Sequence, residues 1–283
     1  MPASEVRLQI DDGHAWTNLA TRPEQVRAGL IWLPALGVPA AKYLNFAGAL
    51  AEQGIATVIH EWRGTGSSSW RASRRSDWGY RELLTADIPA TVASVASGAL
   101  AERWLIGGHS LGGQLAAMSL ALAPSSAAGL VLIGTGIPAA ETYPGMRRFG
   151  IRAFARSVPP ITRLFGYFPG DRLQWAGREA GRLMRDWAST IHRGEYRQLL
   201  AERDLDAALA QLHRPALGLR MSEDWLAPAS SLQMLMDRLG SGEREQRVFD
   251  AQALGTTADH FRWMRHPQAL AGAVRAWLDR QFL

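Results

Sequence analysis

The chain has 283 residues, 47% hydrophobic and 20% charged, which is enough apolar content to bury a full core and excludes a disordered or fibrous chain. Its 31 Lys+Arg against 26 Asp+Glu give a net charge of +5, and the absence of cysteine excludes disulfide frameworks, thiolate metal centres, iron–sulfur clusters and a cysteine nucleophile. No apolar run approaches the roughly 18–20 residues of a membrane span, and the opening Met1-Pro2-Ala3-Ser4-Glu5 lacks the layout of a secretory leader, so a cytoplasmic location is expected.

Taken in chain order, short apolar runs alternate with helical stretches, the pattern of a mostly parallel sheet with flanking helices. Strands are expected over residues 6–10 and 16–20, joined by the turn signal Asp12-Gly13, and then over 29–33. A helix over 40–53, a strand over 56–60 and a helix over 80–97 follow. Next come a strand over 103–106, a helix over 111–123 and a strand over 130–133. From Ile137 the alternation stops, and it resumes with a strand over 216–221, a helix over 230–239, a strand over 246–250 and a helix over 267–281. The class is therefore α/β with about eight strands, residues 1–136 and 210–283 forming the core and 137–209 an inserted helical cap. No strand is expected in the insert, and Pro159-Pro160 and Pro169-Gly170 should divide it into three or four short helices, since proline cannot continue a helix from within.

The basicity belongs to that insert. Residues 137–200 hold 11 Arg against 5 Asp+Glu, so the rest of the chain is close to neutral. Such a face is most often simply solvated, but a +6 lid would also favour an anionic substrate or a peripheral contact with an anionic membrane surface. No nucleic-acid-binding module accompanies the charge, so nucleic acid is not an expected partner. The insert's aromatics Phe149, Phe154, Phe165, Tyr167, Phe168, Trp175 and Trp187 either wall an acyl pocket or pack the helices. The sequence sets no oligomeric state.

The strongest chemical signal is Gly107-Gly108-His109-Ser110-Leu111-Gly112-Gly113, a G-x-S-x-G between a predicted strand and a predicted helix. A serine lifted off a strand end sits in a tight turn, and Gly108 and Gly112 are required because side chains there would collide with the adjoining strand and helix. Ser110 is the candidate nucleophile, and it needs a base and an acid that orients the base. In this architecture the acid and then the histidine follow the serine, which leaves His192, His213, His260 and His266. His260 lies in the loop between the last strand and the last helix, His192 and His213 precede the acid, and His266 abuts Pro267 as a helix entry. The acid follows the strand over 216–221, where spacing leaves Asp224 and Glu223 in competition; Asp259 reads as a loop residue. The oxyanion needs two backbone donors, Leu111 after the nucleophile and Leu36 in the loop Pro34-Ala35-Leu36-Gly37, where Pro34 has no N–H. No histidine pair has metal-ligand spacing, no phosphate-cradling or dinucleotide motif is present, and no cofactor is expected.

Together these positions resemble the α/β-hydrolase superfamily, in particular its serine aminopeptidase-like and monoacylglycerol-lipase-like branch, over nearly the whole chain. Leu33-Pro34-Ala35-Leu36-Gly37 stands where the family has a His-Gly oxyanion loop, and Glu61-Trp62-Arg63-Gly64-Thr65-Gly66-Ser67-Ser68 is similar to its D-x-R-G-x-G-x-S turn. Asp224 with Pro228 fits the acid loop, and His260-Phe261 the base loop. Glu61 and Pro34 depart from the usual Asp and His. The resemblance implies an α/β-hydrolase fold, favours Asp224 over Glu223, and implies a Ser-Asp-His triad acting on a carboxylic ester of a small or medium acyl group. The same triad serves amide, peptide or thioester cleavage and acyl transfer, while a pocket-binding receptor or a membrane-surface protein is the non-enzymatic alternative.

Overall fold

The computed structural model describes residues 3–96, 100–172 and 176–282. The elements run β1 (Ser4–Gln9), β2 (Ala15–Thr21), β3 (Ala28–Leu33), α1 (Leu44–Glu52), β4 (Ile55–Ile59), α2 (Tyr80–Glu82), α3 (Ile88–Ala96), β5 (Trp104–His109), α4 (Leu111–Leu122) and β6 (Leu130–Ile133). They continue with α5 (Arg147–Phe165), β7 (Tyr167–Pro169), β8 (Arg178–Ala180), α6 (Gly181–Arg193), α7 (Leu205–Ala210), β9 (Ala216–Met221), α8 (Ala229–Arg238), β10 (Arg244–Phe249), α9 (Ala251–Leu254) and α10 (Gln268–Phe282). Eight strands form one sheet in the order β1-β2-β4-β3-β5-β6-β9-β10. The first two are antiparallel to their neighbours, and every pairing from β4–β3 onward is parallel.

The parallel strands are apolar runs because both faces are covered, yet the period of two still sorts their side chains. In β3, Leu30 and Trp32 face the layer built by Phe46 and Leu50 of α1 with Val274 and Trp277 of α10. Ile31 and Leu33 face the opposite layer, with Leu115 and Met118 of α4 and Leu232 and Leu235 of α8. All eight expected strands are found.

A π-helical turn over Leu83–Asp87 joins α2 to α3. It ends two residues before Pro89, whose missing N–H a wider turn accommodates. Residue 97, where this helix was expected to end, lies outside the described residues.

Between β6 and β9 the structure departs from the expectation in two ways. The segment contains strands after all, since β7 and β8 pair antiparallel as Tyr167↔Ala180, Phe168↔Glu179 and Pro169↔Arg178. Pro159 and Pro160 also lie inside the 19-residue α5 and do not divide it. Pro160 faces solvent, where water serves the carbonyl that a proline leaves unpaired, and Ala155, Val158 and Thr162 are buried on the other face. Gly166, at φ 79°, ends this helix in the left-handed conformation. Ala155 and Val158 form a small cluster with Phe168, Met184, Ala188 and Ile191, whereas Leu205 and Leu209 of α7 lie in the same cluster as Leu115.

Candidate active site

Ser110 closes β5 and opens α4 at φ 53° and ψ −121°, a left-handed conformation that a residue with a Cβ adopts only under constraint. The constraint is visible in its backbone bonds. Its N–H donates to the Ile133 carbonyl at 3.1 Å, and its own carbonyl accepts from Gly113 N at 3.0 Å and from the Thr135 hydroxyl. A Cβ on Gly108 would stand 2.3 Å from the Gly112 carbonyl carbon, and one on Gly112 would stand 2.0 Å from the Leu33 oxygen. The glycine spacing therefore follows from backbone packed on backbone, with no side chain that could yield. Ser110 itself is half-buried, within reach of a ligand.

Asp224 follows the carboxyl end of β9. Its Oδ1 accepts from the N–H groups of Leu226 at 2.9 Å and Ala227 at 3.0 Å, fixing its own loop. Oδ2 is thereby aimed at Nδ1 of His260, 2.7 Å away. Glu223 is exposed and its N–H ties the acid loop to the Ala258 carbonyl at 2.9 Å, so the adjacent carboxylates are separated by direction. Asp259 accepts from Phe261 N and Arg262 N, a turn-forming role. Of the other candidate histidines, His213 bonds Ser241 and His266 ends a 3-10 turn, neither of them near Asp224 in any hydrogen bond.

The His260 ring is buried, with Nδ1 taken by Asp224, and its centroid is 4.6 Å from that of His109. Burial, followed by the neighbouring His260, holds His109 well below the ordinary imidazole range. A neutral His109 accepts at Nδ1 from the Tyr43 hydroxyl at 2.9 Å, and that hydroxyl in turn accepts from Ala35 N–H at 2.9 Å. Tyr43 thus ties the Pro34–Gly37 loop to the residue preceding Ser110. Burial pushes the Tyr43 phenol far above its ordinary value, so it keeps the proton that it donates.

Leu36 and Leu111 line one small cavity of about 10 Å³, room for a single water. Trp62, Arg63, Thr65, Trp78 and Leu83 line it from the sheet side, and Glu179 and Leu183 from the segment between β6 and β9. Among the described residues, none of the aromatics named from the sequence in that segment lines it. Phe154 packs against Phe168 and Trp187, the Tyr167 ring lies under the Arg178 guanidinium, Phe149 and Phe165 are exposed, and Trp175 lies outside the described residues.

Glu179 was not singled out by sequence reasoning. Its carboxylate accepts from Gly177 N at 2.9 Å and lies so close to the Leu36–Gly37 turn that a Cβ on Gly37 would be 2.8 Å from Oε1. Burial, aided by Asp171, pushes its pKa up to about 7 against the Gly177 hydrogen bond, which lowers it. In sequence it is one residue of a three-residue strand next to an exposed Arg178, a signal too short to read. Glu61, the departure from the family pattern, accepts from Thr65 Oγ1 at 2.6 Å and Ala40 N at 3.2 Å, filling the space against Gly66. Arg63 is fixed by Asp87 at 2.8 and 2.6 Å and by Asp12 at 2.7 Å. Among the described residues, no three His, Asp or Glu side chains could together hold a metal ion.

A family model described as serine aminopeptidase, S33, matches residues 24–253. The chain is similar in structure to Est1E from Butyrivibrio proteoclasticus bound to ferulic acid, at TM-score 0.67 and 15% identity, covering 98% of each chain. It is similar to the esterase EaEST from Exiguobacterium antarcticum at TM-score 0.66 and 16% identity, over 98% of this chain and 100% of the other. It is also similar to the α/β hydrolase GrgF from Penicillium sp. sh18 at TM-score 0.62 and 19% identity, over 99% and 96%. At these identities the likeness shows the fold alone. No curated protein matches the sequence.

Proposed function

The chain belongs to the serine aminopeptidase S33 family of the α/β-hydrolase superfamily, and from that premise we propose that it is a serine hydrolase cleaving a carboxylic ester of a small or medium acyl group. The observation that carries the reading is a strained, half-buried Ser110 at the β5–α4 turn, next in the chain to His109, whose ring centroid lies 4.6 Å from that of His260, itself bonded to Asp224. Ser110 Oγ attacks the ester carbonyl carbon while His260 Nε2 takes its proton. Asp224 fixes the imidazole and stabilises the imidazolium, and the N–H groups of Leu111 and Leu36 receive the oxyanion. As the carbon–oxygen bond breaks, His260 returns the proton to the leaving alcohol. Water then attacks the acyl-enzyme, again deprotonated by His260, releasing the acid and restoring Ser110. Residues 137–209, helical apart from the β7–β8 ribbon, act as the cap above this site, and no cofactor takes part.

The description of the family favours amide cleavage at a peptide N-terminus as a second reading on the same residues. Intact-mass labelling with a fluorophosphonate probe, followed by turnover of a p-nitrophenyl ester chain-length series and of aminoacyl p-nitroanilides, tests both. A single adduct on Ser110 with turnover of short or medium esters is the expected result. Labelling with anilide turnover alone would replace the ester by the amide reading. A folded protein that takes no label would overturn the enzyme assignment.

A further inference from the structure

The α5 helix carries Arg147, Arg148, Arg152, Arg156 and Arg163 and no acidic residue. Among the described residues none of these five guanidinium groups has an ion pair or a side-chain hydrogen bond to another residue. On the packed neighbour α6 the situation is the reverse, with Arg182 paired to Asp77 and Glu82 and Arg185 to Asp77. The α5 charges also reach the neighbouring helix, since burial and then Arg156 and Arg152 lower the pKa of His192 in α6.

Interleaved with these charges is apolar surface. Met146, Phe149 and Leu164 are 79%, 52% and 65% exposed, and Phe165 follows them at the helix end. An ordinary solvated helix face mixes both signs of charge and hides its large apolar groups. The inner face is satisfied by Ala155, Val158 and Thr162; on the outer side Phe149 lies against the Arg148 guanidinium, 5.2 Å from its ring centroid, and Phe165 against Tyr167, yet both rings stay exposed. The strip runs the length of a 19-residue helix, about 28 Å. It continues across the mouth of the site, because the Arg147 guanidinium lies 5.6 Å from the ring centroid of Trp225, beside Asp224, and Phe261, beside His260, is exposed as well.

We propose that the outer face of α5, with Trp225 and Phe261, docks on an anionic lipid bilayer. Apolar side chains enter the boundary between headgroups and acyl chains while unpaired arginines meet lipid phosphates, the two forces that hold an amphipathic helix at an interface. A nucleic acid would use the arginines but leave Met146, Phe149 and Leu164 in water. A second copy of the chain in a two-fold arrangement would set five unpaired positive charges against five more. Only an anionic lipid surface satisfies both halves of the face. Docking would turn the Ser110 mouth toward the bilayer, but it does not depend on the hydrolase reading, and its test reads binding alone.

The test is co-sedimentation of the full chain with vesicles of phosphatidylcholine and with vesicles of phosphatidylcholine and phosphatidylserine, across a salt series. Binding to the anionic vesicles alone, weakening as salt rises, is expected. The triple variant Arg147→Glu, Arg148→Glu, Arg156→Glu should lower that affinity at least about 100-fold, at roughly five-fold per arginine removed before the added repulsion. Phe149→Ser with Leu164→Ser keeps every charge and should cost about ten-fold or more. Thermal melting and far-ultraviolet circular dichroism, unchanged in both variants, show that they are folded. Equal binding to the two vesicle types, no binding, or full binding by the triple variant overturns the proposal. So does release from vesicles by polyuridylate that itself binds more tightly, or a dimer that Phe149→Ser disperses.

Discussion

Tyr43 and His109, 66 residues apart, share a hydrogen bond of 2.9 Å that joins the candidate oxyanion loop to the nucleophile turn. The Tyr43 oxygen also accepts from Ala35 N–H, so one buried hydroxyl serves two backbone segments whose relative position decides where an oxyanion can be held. Tyr43→Phe leaves both partners buried and unpaired, at a cost of about 1–3 kcal/mol. Thermal or urea unfolding should register that loss. Steady-state kinetics should show kcat falling by about ten-fold or more with KM nearly unchanged, because the donors meet their charge only in the transition state. An unchanged kcat in a destabilised variant would make the bond purely structural.

Ser110→Ala should abolish fluorophosphonate labelling and lower kcat/KM by about 10⁴-fold or more. Its melting temperature should stay close to that of the parent protein, since alanine keeps the Cβ that strains the turn and loses only the hydroxyl. Residual turnover above that level would identify another nucleophile.

The two carboxylates of the acid loop make opposite predictions. Asp224→Asn leaves His260 with an amide that cannot stabilise its imidazolium, and kcat should drop by roughly 10⁴-fold. Glu223→Gln, on an exposed side chain whose backbone alone bridges to Ala258, should stay within about two-fold of the parent enzyme. Parallel kinetics on both variants separate the two residues.

Glu179 should govern part of the pH dependence of stability. Its pKa rises from 4.5 in the unfolded chain to about 7 in the folded protein, so the folded state holds the proton more tightly. Stability from this group is complete below pH 4.5, is lost as pH climbs through about 7, and amounts to about 3 kcal/mol. Glu179→Gln keeps the shape and removes the charge. Melts across this range should show a flatter profile for the variant and a higher Tm than the parent protein at pH 8; coincident profiles would place the Glu179 carboxylate in contact with water.

The sheet and the elbow were legible because their causes are local. Continuous apolar runs in β3, β5, β6 and β9 and the glycines flanking Ser110 leave their trace within a few positions. The β7–β8 ribbon did not, because a three-residue strand shows no period. The course of α5 through Pro159 and Pro160 depends on the burial of Ala155, Val158 and Thr162 by other elements, which no propensity contains. Spacing could not choose between Glu223 and Asp224, since neighbouring residues differ in direction rather than in type. Tyr43 and Glu179 reach the site only through contacts distant in sequence.

The position of α7 bears on how segments of this fold can be exchanged. The chain leaves the sheet after β6, builds α5 through α6, stays anchored to the sheet's own cluster through Ala180, Leu183, Tyr196 and Leu200, and completes that anchorage with Leu205 and Leu209 of α7 before β9 begins. Because β6 and β9 are parallel neighbours, some element must carry the chain back to the starting edge, and α7 is that return path. A graft that exchanges the basic α5, whose buried residues lie in a separate cluster, while keeping Ala180, Leu183 and α7 preserves the crossover and leaves the scaffold beneath it intact.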